Sequence, residues 1–375
     1  MSRPYAYFFT CLLYLTIGPF FAIPRCATTA FTVGIEQAVP QAAEQLRLWL
    51  LVFSAVFFAA ALLFSLFPGK ILTWVGKILN PFFLLFLGIL IIVALVKPSA
   101  AISAVAPEGA YASQAFSTGF LEGYNTMDVL AGLAFGIIVV QVIRELGVTD
   151  ADAVASSTVK AGVFSSLLMA LIYLAVTVVG AQSRGLFETS ENGGIALAQI
   201  ARHYLGSAGL VILAATVTLA CLKTSVGLIT SCAETFCGMF PKGPKYRAWA
   251  VLFTLISFAL SNFGLSTIIS YSVPVLMFLY PLAIALVLLA LFGRFYRHDR
   301  AVYISVIVCT LLAALYDLIC ALPEGLYDAL RADAVQAFGL RVLPFAGAGL
   351  GWICPLALGF VIGLAVHLMQ KFRTK

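Results

Sequence analysis

Ten long runs of apolar residues follow one another along the chain, separated by short polar segments. The runs lie at about residues 5–23, 46–67, 71–96, 113–143, 158–181, 206–236, 248–264, 266–292, 302–321 and 348–369. A helix needs about 20 apolar residues to cross the hydrocarbon of a bilayer. The pattern therefore predicts an all-α polytopic membrane protein with about ten transmembrane helices. The first helix extends to about residue 35 if it continues through Pro24.

The composition supports the same class. Hydrophobic residues make up 62% of the 375 positions and charged residues only 10%, whereas soluble domains carry roughly 25% charged residues. A soluble protein is therefore excluded. The net charge of +6 does not indicate nucleic-acid binding, because the basic residues lie in short loops between apolar runs. An enzyme is not indicated either, since no set of nucleophile, base and metal ligands accompanies Asp128 or His203.

The basic residues predict the orientation of the chain, because short cytoplasmic loops are enriched in lysine and arginine. With the N-terminus inside, 14 basic residues are cytoplasmic and 7 lie outside. The inner set is Arg3, Lys70, Lys77, Arg144, Lys160, Lys242, Lys245, Arg247, Arg294, Arg297, Arg300, Lys371, Arg373 and Lys375. We therefore expect both termini in the cytoplasm.

A polar segment, GFLEGYNTMD at residues 119–128, interrupts the fourth apolar run. Gly119 and Gly123 permit backbone conformations that other residues resist. Asn125 and Thr126 add side-chain oxygens, and a broken helix exposes backbone groups that can bind a carboxylate or a cation. Such a break is costly in a membrane unless it lines a cavity. The segment is therefore the first candidate for a binding site.

Two carboxylates, Glu122 and Asp128, belong to this segment. Ionisable residues within a span indicate function by default. Two alternatives remain open: the segment is a surface loop between a short outer helix and the next span, or the helix is broken but Glu122 lies at the outer interface.

The second candidate is LACLKTSVGLITSC, residues 219–232, where Thr224 and Ser225 place adjacent hydroxyls in mid-span. Hydroxyl oxygens suit a hard cation such as sodium. Alternatively, each hydroxyl bonds back to its own helix. Lys223 lies about 28 Å along a helix from the basic loop that begins at Lys242, too far to reach the interface. Its ammonium either occupies or crowds a cation site, or is neutral or outward-facing in a degraded copy.

Four segments together resemble the branched-chain amino acid carrier family, the cation-coupled leucine, isoleucine and valine carriers of bacteria. They are YLTIGPFFAIPR (14–25), GFLEGYNTMDVLAGLAFG (119–136), LACLKTSVGLIT (219–230) and YSVPVLMFLYPLAIALVLL (271–289). The match runs in order over essentially the whole chain.

The resemblance implies a leucine-transporter-like bundle of two inverted repeats, with an incomplete first repeat. One transmembrane carrier domain would cover residues 1–375. Residues 1–96 would be the remainder of the first repeat, 113–292 the second repeat, and 302–369 two additional helices. On this plan the chain begins at the family's third helix, and the absence of the broken first helix would impair transport.

The resemblance also implies the activity, which is symport driven by sodium or a proton, with no cofactor. The expected partners are branched-chain amino acids and the lipid bilayer of a bacterial inner membrane; no oligomeric state is indicated. Gly119, Gly123, Tyr124 and Thr126 would line the substrate, and Thr224 and Ser225 would bind sodium.

Two residues depart from the family pattern. Asn125 joins the substrate candidates although an apolar residue is expected there, and Lys223 replaces a hydroxyl residue. The alternative function is a carrier-derived membrane protein that no longer transports, either a sensor or a decayed remnant.

Overall fold

Helices account for all the regular secondary structure that the computed structural model describes, over residues 3–37, 39, 42–67 and 70–373. Side chains are described there except at residues 3, 43, 70–80, 104, 137 and 371–373. The terminal residues Met1 and Lys375, and the side chains of Lys70 and Lys77 used for the orientation, lie outside this description. So do the side chains of Arg3, Lys371 and Arg373.

The helices are α1 (Arg3–Leu15), α2 (Ala22–Gly34), α3 (Ala43–Leu66), α4 (Lys70–Val96), α5 (Tyr111–Glu122), α6 (Asp128–Glu145), α7 (Ala151–Ser183), α8 (Gly193–Met239), α9 (Tyr246–Ser261), α10 (Leu265–Leu291), α11 (Arg300–Cys320), α12 (Glu324–Ala329), α13 (Ala332–Val342) and α14 (Ile353–Arg373). Shorter helical turns lie between several of them, including a π-helical turn at Thr16–Phe20 and a 3-10 turn at Gly123–Thr126.

Seven helices in the described part of the chain are long and apolar enough to cross a membrane. A bent pair, Tyr111–Gly136 with Ile138–Glu145, makes eight if it counts as one span, and two shorter apolar helices cover Pro81–Val96 and Tyr246–Ser261. These elements lie at the positions of the ten predicted runs. The prediction of an all-α polytopic membrane protein is confirmed, whereas the inverted-repeat arrangement and its boundaries stay predictions.

The first predicted run continues through Pro24, as the longer alternative required. Helical structure extends from Pro4 to Gly34, with a local break at Gly18, whose backbone angles are φ −99° and ψ −121°. Pro24 is the third residue of α2. Backbone N–H groups in the first helical turn have no partner within the helix, so a proline is tolerated there.

Two features of the segments between the apolar runs have no counterpart in the apolar pattern. Helix α8 begins at Gly193, well before the sixth apolar run, and is interrupted at Gly206, where φ is +66°. The segment between the last two predicted spans contains two further short helices, α12 and α13. Neither α12 nor α13 is long enough to give a membrane-spanning pattern.

The chain divides into two compact units. The first unit comprises the N-terminal residues through Thr16, Pro107–Ala134 and the residues from Ile269 onward; the second comprises Ile17–Ala106 and Phe135–Ile268. The core of the second unit joins α2, α3, α8 and α9. Its fully or nearly fully buried residues include Ile23, Ala27, Ala30, Phe57, Phe58, Ala61, Val226, Ile229, Ala233 and Ala250.

In the first unit, α11 and α14 pack closely because α14 carries two glycines one turn apart. A Cβ atom added to Gly363 would lie 2.6 Å from Cα of Val302, and one added to Gly359 would lie 2.7 Å from the carbonyl oxygen of Ser305. Small residues at such spacing let helix backbones approach in a membrane, where van der Waals packing drives helix association.

This close approach gives a test of the packing. We expect Gly363→Val to lower the free energy of unfolding by about 1–3 kcal/mol, because the new side chain must displace the α11 backbone. Gly162→Val in α7 is the matched control, since nothing lies within 4 Å of a Cβ at that glycine. Thermal unfolding of the purified variants in detergent provides the measurement. Equal destabilisation by the two substitutions would contradict the packing argument.

Candidate functional site

The predicted interruption of the fourth span is present in the first unit. Helix α5 ends at Glu122, a 3-10 turn covers Gly123–Thr126, and α6 begins at Asp128. Met127 joins the two helices in the left-handed region, at φ +60° and ψ +15°. A non-glycine residue in this region is uncommon and often marks a functional segment.

Local hydrogen bonds satisfy part of the broken backbone. The Thr126 hydroxyl donates to the Gly123 carbonyl oxygen at 2.8 Å, and the same hydroxyl lies 3.4 Å from the Asp128 amide nitrogen, which donates to it. The Met127 amide donates to the Tyr124 carbonyl oxygen at 3.1 Å. One threonine therefore contacts the backbone on both sides of the break, which explains why a hydroxyl residue suits position 126.

The glycines of the segment leave space beside the backbone. A Cβ atom added to Gly119 or Gly123 would meet no atom within 4 Å, and both glycines and Thr126 are exposed. Packing within the first unit therefore does not require glycine at these two positions. Open space there leaves the backbone accessible to a small ligand.

Tyr124 is the buried member of the segment. Its ring stacks on the ring of Tyr280 in α10, with centroids 4.1 Å apart and an interplanar angle of 9°. The two residues are only 4% and 2% exposed. Both hydroxyls are buried, and neither makes a hydrogen bond of ordinary geometry with the described residues. The Tyr124 hydroxyl faces the Trp352 side chain, and the Tyr280 hydroxyl faces the Thr126 side chain. Since a poorly paired buried hydroxyl costs free energy, each would gain from a ligand that brings a polar atom.

Tyr280 was not among the residues selected from the sequence. It lies in a long apolar run directly before Pro281, and a single tyrosine in such a run is equally typical of ordinary packing. Only its stacking on Tyr124, 156 positions away in the sequence, makes it a candidate.

The two carboxylates of the segment differ in their surroundings. Glu122 is exposed, and it accepts a hydrogen bond from the Asn125 side-chain amide at 2.9 Å. Asp128 is half-buried at the first position of α6, where the helix dipole stabilises a negative charge. The helix is thus broken at this segment, whereas the alternative that Glu122 lies at the outer interface stays a prediction.

Thr224 and Ser225 belong to the second unit, on α8. The Thr224 side chain is exposed, and its hydroxyl donates to the Ala220 carbonyl oxygen at 3.0 Å, the back-bonding that the sequence left open. Ser225 is fully buried, and its hydroxyl lies beside the Cys26 thiol of α2 without a hydrogen bond of ordinary geometry to the described residues. Lys223 is half-buried. The sodium site therefore stays a prediction.

The second unit also contains a cavity of about 210 Å³ that the sequence pattern does not predict. It lies where α2 ends and where α3, α8 and α10 begin, and its lining includes Glu36, Arg47 and Asn192. Asn192 caps α8 by accepting from the Ile195 amide at 3.2 Å, and it donates to the Ser266 hydroxyl at 3.2 Å. Its lining residues come from four separate stretches of the chain, so no local pattern predicts this cavity.

The stacked tyrosines lead to a specific stability prediction. We expect Tyr124→Ala to lower the free energy of unfolding by about 3 kcal/mol, because it removes a buried aromatic ring. Tyr124→Phe should change stability by less than about 1 kcal/mol, because the hydroxyl it removes makes no hydrogen bond of ordinary geometry with the described residues. Thermal unfolding in detergent compares the two variants. A Phe variant as unstable as the Ala variant would show that the hydroxyl is hydrogen-bonded.

Comparisons with known proteins identify the family. The family model described as branched-chain amino acid transport protein matches residues 1–370. The branched-chain amino acid permease BrnQ of Lactobacillus delbrueckii subsp. lactis is 51% identical over 373 residues, covering 100% of this chain and 82% of the relative. BrnQ of Bacillus subtilis (strain 168) is 38% identical over 368 residues, covering 98% and 80%.

A third relative comes from Pseudomonas aeruginosa. Its branched-chain amino acid transport system 2 carrier protein is 35% identical over 364 residues, covering 95% of this chain and 78% of the relative. Comparison with solved structures gave no significant match. Since the family model covers nearly the whole chain and these relatives exceed 30% identity over most of their length, this protein belongs to the branched-chain amino acid transport protein family.

Proposed function

We propose that this chain carries leucine, isoleucine and valine across a membrane by symport with a cation. The observation that carries the proposal is the match of the whole chain to relatives named branched-chain amino acid permeases. Membership of a permease family also argues against an enzyme. The chemistry is non-covalent binding and release, and the helix interruption at Gly123–Thr126 is the feature best suited to it.

The proposed substrate site uses the ends of α5 and α6. Backbone carbonyls at the C-terminal end of α5 suit the substrate ammonium, and N–H groups at the N-terminal end of α6 suit its carboxylate. Gly119 and Gly123 give access to the backbone, and Asn125 and Thr126 add polar atoms. The Tyr124 ring, which also contacts Phe120 at a centroid distance of 5.6 Å, offers an apolar surface for a branched aliphatic side chain.

The coupling ion is proposed to be sodium or a proton, and for sodium the candidate ligands are Thr224 and Ser225. The buried hydroxyl of Ser225 supports this assignment, because it lies beside the Cys26 thiol without a hydrogen bond of ordinary geometry, and its oxygen lone pairs can accept a cation. Thr224 donates its hydroxyl proton to Ala220, which leaves the oxygen lone pairs available to an ion. Lys223 would place a positive charge next to these ligands and weaken cation binding.

Transport is favoured over the alternative of a non-transporting sensor or remnant. Relatives named as permeases or carriers match at 35–51% identity over 95–100% of the chain. The alternative makes its own prediction, which is binding of leucine without uptake.

Uptake of radiolabelled leucine in a bacterium deleted for its own branched-chain carriers tests the proposal. We expect saturable uptake above that of cells with an empty vector, inhibited by isoleucine and valine but not by lysine. Membrane abundance is measured in parallel by an epitope tag. Background uptake at normal abundance, combined with leucine-induced thermal stabilisation, would support the non-transporting alternative instead.

The same assay tests the coupling ion. We expect Thr224→Ala to raise the sodium concentration for half-maximal uptake by about ten-fold, because losing one hydroxyl ligand from a small cation shell costs about 1–3 kcal/mol. Thr216→Ala is the matched control, since Thr216 also lies on α8 and donates to the Ile212 carbonyl oxygen at 2.8 Å. Sodium dependence that is unchanged in the Thr224 variant would assign Thr224 to helix back-bonding alone.

Both termini are proposed to lie in the cytoplasm of a bacterial cell, with the chain in the inner membrane. The basic loops at 242–247 and 294–300 support this orientation. A reporter active only in the cytoplasm should give signal when fused after Lys375 or inserted at 242–247. A reporter active only in the periplasm should give none there, and the opposite result would reverse the topology.

A further inference from the structure

A groove of about 640 Å³ lies in the second unit, at the turn that joins α8 to α9. Its lining includes Phe240, Pro241, Lys242 and Trp249. Both flanking helices are apolar, α8 as a candidate span and α9 as a shorter apolar helix. The groove therefore lies at a membrane interface, where a tryptophan and basic side chains are typical.

The turn is held by its own hydrogen bonds. The Gly243 amide donates to the Phe240 carbonyl oxygen at 2.8 Å, and the Trp249 amide donates to the Lys245 carbonyl oxygen at 3.2 Å. The Tyr246 hydroxyl at the start of α9 donates to the Ser65 carbonyl oxygen at 2.8 Å. A groove fixed in this way needs little ordering when a ligand binds, which favours affinity.

The turn between α8 and α9 carries only positive charges. Lys242, Lys245 and Arg247 are exposed and form no ion pair with the described residues. Glu234 is the single acidic residue between positions 192 and 298, and it lies on α8 more than two helical turns before Lys242. The groove thus combines an apolar lining with an uncompensated positive rim.

The Trp249 indole provides a second, independent observation. Its ring contacts Phe236 and Phe253 at centroid distances of 5.1 Å and 5.3 Å, so the ring is fixed. Its nitrogen Nε1 is buried and has no hydrogen-bond partner among the described residues. An indole N–H is a donor only, and a buried donor without a partner is costly. A bound acceptor group would remove that cost.

We propose that this groove binds the phosphate headgroup of an anionic phospholipid. The lipid phosphodiester accepts from the Trp249 indole and from the Lys242 ammonium, Lys245 and Arg247 add long-range attraction, and an acyl chain lies on Phe240 and Pro241. Clusters of basic residues next to a span attract anionic lipids, and each one raises the affinity by about five-fold. An apolar lining favours a lipid over free phosphate, because free phosphate leaves Phe240 without a partner.

Fluorescence quenching of Trp249 in vesicles tests the proposal. Trp49→Phe, Trp74→Phe and Trp352→Phe leave Trp249 as the only tryptophan. The protein is reconstituted in vesicles of phosphatidylcholine and phosphatidylglycerol. Bromine is carried either by the anionic lipid or by the zwitterionic lipid. The mole fractions are the same in both cases, so the two samples differ only in which lipid is brominated. We expect the association constant of Trp249 for brominated phosphatidylglycerol to exceed that for brominated phosphatidylcholine by about ten-fold or more.

Two triple variants distinguish lipid binding in the groove from a general electrostatic attraction of basic loops to anionic lipid. Neutralising Lys242, Lys245 and Arg247 to glutamine should abolish the preference for the anionic lipid. The matched control neutralises Arg294, Arg297 and Arg300 to glutamine, an equally basic loop in the first unit whose Asp299 pairs with His367, and should keep the preference. Equal quenching by the two lipids in the parent protein, or a preference that survives neutralisation of 242–247, would overturn the proposal.

A further arm distinguishes the lipid from free phosphate. Inorganic phosphate at constant ionic strength should leave the quenching preference unchanged. If added phosphate abolished the quenching preference, the groove would bind a soluble anion, and the lipid proposal would be overturned. Neither readout depends on transport.

Discussion

The absence of water in the hydrocarbon of a bilayer is the constraint on which this structure depends. Every backbone N–H and C=O group there needs a partner within the protein, so the chain is helical almost throughout its described part. A helix can break only where other groups take over the lost hydrogen bonds. At residues 123–127 the Thr126 hydroxyl and the Met127 amide do so. The break at the candidate substrate site is stable because its polar residues satisfy their own backbone.

The lipid hydrocarbon also determines how the helices associate. Apolar side chains gain little by leaving lipid for a protein surface, so close backbone packing has to stabilise the assembly. In the first unit, Gly359 and Gly363 of α14 lie directly against the α11 backbone. In the second unit, Ala27, Ala30 and Ala233 are fully buried where α2, α3 and α8 meet. Small residues thus have the role that large aliphatic side chains have in soluble cores.

Polar groups without partners indicate where binding is chemically favourable. Among the described residues, the buried hydroxyls of Tyr124 and Tyr280 in the first unit make no hydrogen bond of ordinary geometry, and the same holds for the Ser225 hydroxyl and the Trp249 indole in the second unit. Each costs free energy in the unbound protein, and each would gain a partner from a ligand. The family comparison identifies branched-chain amino acids as the transported class.

The sequence by itself determined the class of protein, the membrane-spanning helices and the position of the break, because each depends on neighbouring residues. About 20 apolar residues predict a span wherever they lie, and GFLEGYNTMD at 119–128 interrupts a helix through its local hydrogen bonds. The sequence motifs also identified the family, since four long segments match in order. Only the tertiary structure decided that Tyr124 stacks on Tyr280, that Ser225 is buried while Thr224 is exposed, and that four separate helix ends enclose the cavity beside Asn192. These contacts join residues far apart in the chain. A local pattern of apolar and polar residues carries no information about which distant side chain will be its neighbour.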